Sequence, residues 1–207
     1  MNQIKNSSDR NRAINILENA FYNVPGIMWM IKSTKNRRRD LRIFLSFCFD
    51  QTSEKEGAYL TSDKNGVVFF YNLQKKPNKL LDFFRKLYLI LMVIGVKTSI
   101  RIMKTRERVD QVRPKKGWYG WFLATEKETI GIRAAYEIRR DMFRMADETN
   151  EPIYVETTIE RIRTLYSRIG FYEYAKIKHP YENLNIWFMK RDPHTFINRG
   201  HAMIPSI

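Results

Sequence analysis

The residues best suited to chemistry lie between Leu123 and Phe171. A glycine-bearing stretch, Ile130-Gly131-Ile132-Arg133-Ala134-Ala135-Tyr136, leads into a helical pattern; a carboxylate, Glu156, stands near the end of an apolar run; a phenol, Tyr166, follows. Groups of these kinds can cradle an anion on backbone amides, take up a proton and give one back. The signatures of several other chemistries are missing: the phosphate loop ending in Gly-Lys-Ser/Thr, the G-x-S-x-G elbow, H-E-x-x-H, paired C-x-x-C and the Rossmann glycine fingerprint. Nucleoside triphosphate and zinc chemistry are therefore not expected. His179, His194 and His201 lack a Cys or acidic partner at ligand spacing and read as surface histidines, so no metal is predicted. A calcium loop over Thr61 to Asn72 fails because Thr stands first and Asn72 falls where a bidentate Glu is needed.

The elements that must position these groups follow from periodicity. Ala13 to Tyr22 reads as a helix stopped by Asn23-Val24-Pro25-Gly26, Ile27 to Ile31 as a strand, and Arg37 to Phe49 as a helix with Leu41, Phe44, Leu45 and Cys48 inward. Ala58-Tyr59-Leu60 and Val67 to Tyr71 flank Asn65-Gly66, a favoured hairpin dipeptide. Two helices follow, about Asn78 to Ile94 and Ser99 to Val112, broken near Gly95. The rest alternates: strand Trp118 to Thr125, helix Ala134 to Asp147, strand Ile153 to Thr158, helix Ile159 to Ile169, then strands near Phe171 to Ile177 and Asn185 to Lys190. The pattern predicts one α/β domain over 1–207, with a helix-rich half to 114, a second half over 115–193 and a surface tail over 194–207.

Composition narrows the class. Of 207 residues, 43% are hydrophobic, enough for a full core, and 37 Lys+Arg against 22 Asp+Glu leave a net charge of +15. Anionic partners are favoured. Lone Cys48 points to a reducing compartment, and the cytoplasm is the expected location. The polar start, Met1 to Arg12, has no apolar targeting segment, and Leu87 to Gly95, about half a membrane span, reads as a buried helix. No membrane partner is expected. Trp118, Tyr119 and Trp121 beside Lys115 and Lys116 could stack nucleic acid, but strand packing is the preferred reading. Arg101, Lys104, Arg106 and Arg108 read as a solvated helix face.

The ordered set Trp121-Phe122-Leu123-Ala124-Thr125, Ala146-Asp147-Glu148, Pro152-Ile153-Tyr154-Val155-Glu156-Thr157, Glu160-Arg161, Leu165-Tyr166 with Gly170-Phe171, and Trp187-Phe188-Met189 resembles the bacterial branch of the GCN5-related N-acetyltransferases. The match runs without a gap from Leu123 to Phe171 and implies a mixed twisted sheet flanked by helices, V-shaped between the strands at Trp118 and Ile153. It further implies acetyl transfer from acetyl-CoA (coenzyme A) to a primary amine, on a small molecule or a peptide. By this resemblance Leu123, Ala124 and Thr125 meet the pantetheine arm, and Ile130, Gly131, Ile132, Arg133, Ala134, Ala135 and Tyr136 meet the pyrophosphate. An amide near Ala124 would hold the oxyanion, Tyr166 would return a proton to sulfur, and Glu156 would receive the amine proton. Laid on Ile130 to Ala135, the loop consensus Q/R-x-x-G-x-G/A is met by Ala135 and accommodates Gly131, but has Ile130 and Arg133 at its other two fixed places. Ile159 and Ile162 stand where relatives carry Asn. Two alternatives stay open: a non-catalytic member of the fold that binds acyl-CoA, protein or nucleic acid, and a homodimer rather than a monomer.

Overall fold

Turn chemistry organises the start of the sheet. The Thr61 hydroxyl donates to Asp63 Oδ1 at 2.6 Å and accepts from the amides of Asn65 and Gly66 at 3.2 and 2.8 Å. Lys64 takes the left-handed conformation at φ 57°. This turn pairs β2 (Ala58–Leu60) with β3 (Gly66–Asn72), the predicted hairpin. The computed structural model describes residues 1–31, 35–126 and 129–195.

Around the hairpin stand β1 (Asn2–Gln3), β4 (Trp118–Thr125), β5 (Ile153–Thr157), β6 (Tyr172–Lys178) and β7 (Asn185–Arg191). The sheet runs β1-β2-β3-β4-β5-β7-β6; β4 and β5 are parallel and every other pair is antiparallel. Its two faces are covered by different helices. Val67 and Phe69 of β3 point to α1 (Ser7–Phe21) and α3 (Arg37–Ser53), meeting Ile14, Leu17, Leu45 and Phe49. Val68 and Phe70 point the other way, to Ile138 and Met142 of α6 (Thr129–Thr149). Period-two alternation on a strand buried on both sides explains the unbroken run Val-Val-Phe-Phe. Burial of each such side chain contributes roughly 1.5–3 kcal/mol.

The segment between β3 and β4 carries α4 (Lys79–Leu89), a π-helical turn (Ile90–Ile94) and α5 (Val96–Val112). Val109 of α5 packs with Ile186 and Phe188 of β7, so α5 reaches from the β1 to β4 side across to the far strands. α7 (Glu160–Arg168) follows β5.

Three expectations need correction. Ile27 to Ile31 is not a strand: Pro25 opens a helical turn, α2 (Pro25–Met28), because its fixed φ suits the first helical position. His179 is buried at 5% exposure, its Nδ1 accepting the amides of Tyr181 and Glu182 at 3.3 and 3.0 Å, whereas His194 is exposed. The run Leu87 to Gly95 is only half buried: Leu89, Val93 and Ile94 face the core while Leu87, Leu91 and Met92 face solvent. His201 and the tail beyond Thr195 lie outside the described residues. No helix among the described residues is long and apolar enough to cross a membrane.

Candidate active site

The central feature is a parting of β4 from β5. They pair only at Trp118↔Ile153, Tyr119↔Tyr154 and Gly120↔Val155, after which Trp121–Thr125 run beside β3 alone. The cause lies at Trp121. Phe69 opposes Phe122 and Phe70 opposes Gly120, leaving Trp121 as an extra residue. A bulge of this kind bends its strand and increases local twist. At the vertex a Cβ on Gly120 would come within 3.0 Å of Val155 Cγ1, so glycine lets the strands touch there before they diverge.

Register decides which groups of β4 face the gap. The Glu126 amide donates to Asn65 O at 2.8 Å, and the Phe70 amide is committed to Gly57 O on the other side of β3. Alternation in an antiparallel pair then aims the amides and carbonyls of Phe122 and Ala124 at β3, and those of Leu123 and Thr125 into the gap. Of the three β4 residues singled out by sequence, two thus offer backbone groups to a ligand. Ala124, buried, turns both toward Val67. An amide of this stretch that meets a ligand in the gap would therefore belong to Leu123 or Thr125 and not to Ala124.

The start of α6 closes the same end of the gap. A Cβ on Gly131 would collide with the Glu126 carbonyl oxygen and stand 2.9 Å from Thr125 Oγ1. Only glycine lets the first turn sit this close to the end of β4. Ala134 is fully buried, and Gly66 admits it and Ile138 against the hairpin. The helix begins at Thr129, five residues earlier than expected, which leaves the amides up to Gly131 without intrahelical partners and places that of Ile132 within the helix. The amides of Arg133, Ala134, Ala135 and Tyr136 belong to the helix interior. Their exposure differs: Arg133, Ile132 and Tyr136 are exposed and Ala135 is half-buried. The Ile130 side chain lies outside what is described.

Tyr166, half-buried on α7, packs its ring 5.2 Å from that of Phe171. Its hydroxyl has no hydrogen bond to a described residue, and burial raises its pKa to about 12, so the phenol stays protonated at neutral pH. Glu156 is not a free carboxylate. Arg113, just beyond α5, donates Nε–H to Glu156 Oε1 at 2.8 Å, and its Nη2 lies 2.8 Å from the same oxygen. Nη2 also donates to the Tyr119 hydroxyl at 3.2 Å. Burial pushes the Tyr119 phenol well up, with Glu156 adding to the shift, and burial does the same to Tyr71. Lys55 lies 3.8 Å from the centre of the Tyr71 ring, and burial, then the charges of Arg106 and Arg113, bring its pKa down to about 8.

Sequence alone gives Arg113, Tyr119, Tyr71 and Lys55 no part in this site, because 43 residues separate Arg113 from Glu156 and nothing local marks the pairing. Trp118 and Trp121 behave as packing residues: Trp118 stacks on Phe70 at 4.8 Å and donates to Thr149 Oγ1, while Trp121 lies against Phe122. Arg101, Lys104, Arg106 and Arg108 are exposed, as expected of a solvated face.

The fold is that of GCN5-related acetyltransferases. Aligned over 93% of this chain and 95% of its own is the histone acetyltransferase HPA2 and related acetyltransferase from Corynebacterium glutamicum, at TM-score 0.63 and 18% identity. The C-terminal condensation domain of Ebony, solved with beta-alanyl-dopamine, matches at TM-score 0.61 and 14% identity, covering 91% and 96% of the two chains. An N-acetyltransferase from Staphylococcus aureus Mu50 matches at 0.51 and 12%, over 91% and 97%. No family model matches the sequence. No curated protein matches it either.

Proposed function

We propose that the protein is an acetyl-CoA-dependent N-acetyltransferase acting on a primary amine. The observation that carries this reading is the parting of β4 from β5, which leaves backbone donors and acceptors of Leu123 and Thr125 in mid-sheet without a strand partner among the described residues, beside the Gly131 turn. An extended, amide-bearing ligand arm can add to such an edge as a strand does, and an anion can take the free amides at the start of α6. These residues fit coenzyme A, which in its acetylated form would supply an activated acetyl thioester. Leu123 and Thr125 orient the arm, an amide of one of them holds developing negative charge, and Gly131 keeps the first turn close.

Proton traffic falls to two side chains. Tyr166, protonated at neutral pH, gives a proton to a departing thiolate. Glu156 takes the amine proton on Oε2, since two N–H groups of Arg113 occupy Oε1. An amine acceptor is further supported by the Ebony domain, whose bound beta-alanyl-dopamine is an amide of an amine. Arg133, exposed on the second turn of α6, is available as a cation for phosphate rather than as an obstacle in a loop.

The test has two readouts: heat on titrating coenzyme A at low salt, and thiol release from acetyl-CoA with arylalkylamines, aminoglycosides and peptide N-termini. Binding with turnover of one acceptor class is expected. Binding without thiol release from any acceptor would favour the non-catalytic reading, and no heat at millimolar ligand would remove both.

A further inference from the structure

We propose that the outward face of α4, the π-helical turn and α5 docks this protein on an anionic lipid bilayer, lying in the interface without crossing it. The observation is an apolar surface that the chain leaves uncovered. Leu80 is 66% exposed, Phe83 60%, Phe84 58%, Leu91 64%, Val96 65% and Met103 66%, with further large apolar side chains between them. Monomeric soluble proteins rarely leave so many large apolar side chains uncovered in one segment unless the face meets something. In α4 the inner face is supplied separately, by Leu89 followed by Val93 and Ile94 of the π-helical turn, so the outer residues are not the core side of a misplaced helix.

Charge selects the occupant. From Lys75 to Lys104 the sequence holds eight Lys or Arg and one acid, Asp82. Lys75, Arg85 and Lys86 answer Glu56, Glu54 and Asp82 within the fold. Lys76, Lys79, Lys97, Arg101 and Lys104 remain exposed among the apolar side chains. Beside them a groove of about 690 Å³ between α3 and α4 combines Arg39 and Arg42 with Phe47, Phe84 and Tyr88. Stacking two copies of this face would set the same cations against each other. An anionic bilayer satisfies both features at once, acyl chains meeting Phe83 and Leu91 while headgroups meet the lysines.

Co-sedimentation with phosphatidylcholine vesicles, with and without phosphatidylserine, tests this. The native chain should pellet with the phosphatidylserine vesicles at low salt, and far less with phosphatidylcholine alone or at high salt. Each cation near an anionic surface is worth a factor of about five in partitioning, so Lys76→Gln with Lys79→Gln should lower it roughly twenty-five-fold. Phe83→Ser with Phe84→Ser and Leu91→Ser should abolish it. All these side chains face solvent, and an unchanged melting temperature confirms that each variant is folded. The proposal is overturned if the native chain does not pellet, or if the serine variant pellets as well as the native chain. It is equally overturned if the native chain is a dimer that ignores vesicles and the serine variant is a monomer, which would make the face a self-interface.

Discussion

Tyr166 carries a hydroxyl that no described residue engages, which leaves its proton available to a ligand. Tyr166→Phe keeps the ring against Phe171 and removes only the oxygen. We expect kcat to fall by about 10²-fold or more with coenzyme A affinity nearly unchanged, as judged by thiol release and calorimetry together. If the variant runs as fast as the parent, the phenol is packing and water is the acid. Gly131 makes a complementary prediction. Its missing Cβ is what allows the first turn of α6 to lie against Glu126 and Thr125. Gly131→Ala should lower stability by roughly 1–3 kcal/mol in urea titrations and weaken coenzyme A binding at the same time.

At the scale of elements, the far end of α6 is tied to β7 by a buried cation. Arg191, its side chain 2% exposed, reaches Asp147 with Nη1 at 3.0 Å and Nη2 at 3.5 Å, and stacks on Phe143. Burial alone would raise the Asp147 carboxyl, but Arg191 and the His194 amide hold it below its usual value. A carboxyl depressed in the folded state stabilises above its unfolded pKa of about 3.9, and that stability is lost as pH falls through the folded value. Asp147→Asn should therefore cost about 3 kcal/mol at neutral pH. It should also flatten the loss of stability below about pH 4, followed by chemical denaturation across that range. Asp147 lies in the Ala146-Asp147-Glu148 run that marked the family in sequence, so there a motif position proves structural. Local rules worked where a short segment decides its own shape, as in the Asn65-Gly66 hairpin and the alternation from Trp118 onward. They failed at Ile27, where apolar residues suit strand or helix equally and Pro25 decided for helix. They also missed β1, two residues that are a strand only because Leu60 and Tyr59 lie opposite. In the candidate site, Leu123, Gly131, Glu156 and Tyr166 were legible through their family spacing. Arg113 was not, because an ion pair between distant segments leaves no local pattern.

Across the whole molecule, charge is distributed unevenly enough to register in solution. Lys55 sits near Arg106 and Arg113 and loses its proton near pH 8, well before an unfolded lysine does. Between about pH 8 and 10.4 the unfolded chain therefore binds more protons at this site, and stability should rise with pH. The urea midpoint measured at pH 7.5 and 9.5 should show that rise in the native chain, and Lys55→Met should reduce it. An unchanged slope in the variant would assign the effect to other groups.

The fourth strand of a seven-stranded sheet is ordinarily the last to let solvent in. Here the amides of Leu123 and Thr125 should exchange with deuterium like those of a terminal strand, while Phe122 and Ala124, one residue away, stay protected by β3. Alternate residues of a single strand would thus differ by orders of magnitude in exchange rate. A ligand that adds itself along β4 should erase the difference, so deuterium uptake at these two positions reports occupancy with no turnover and no known acceptor.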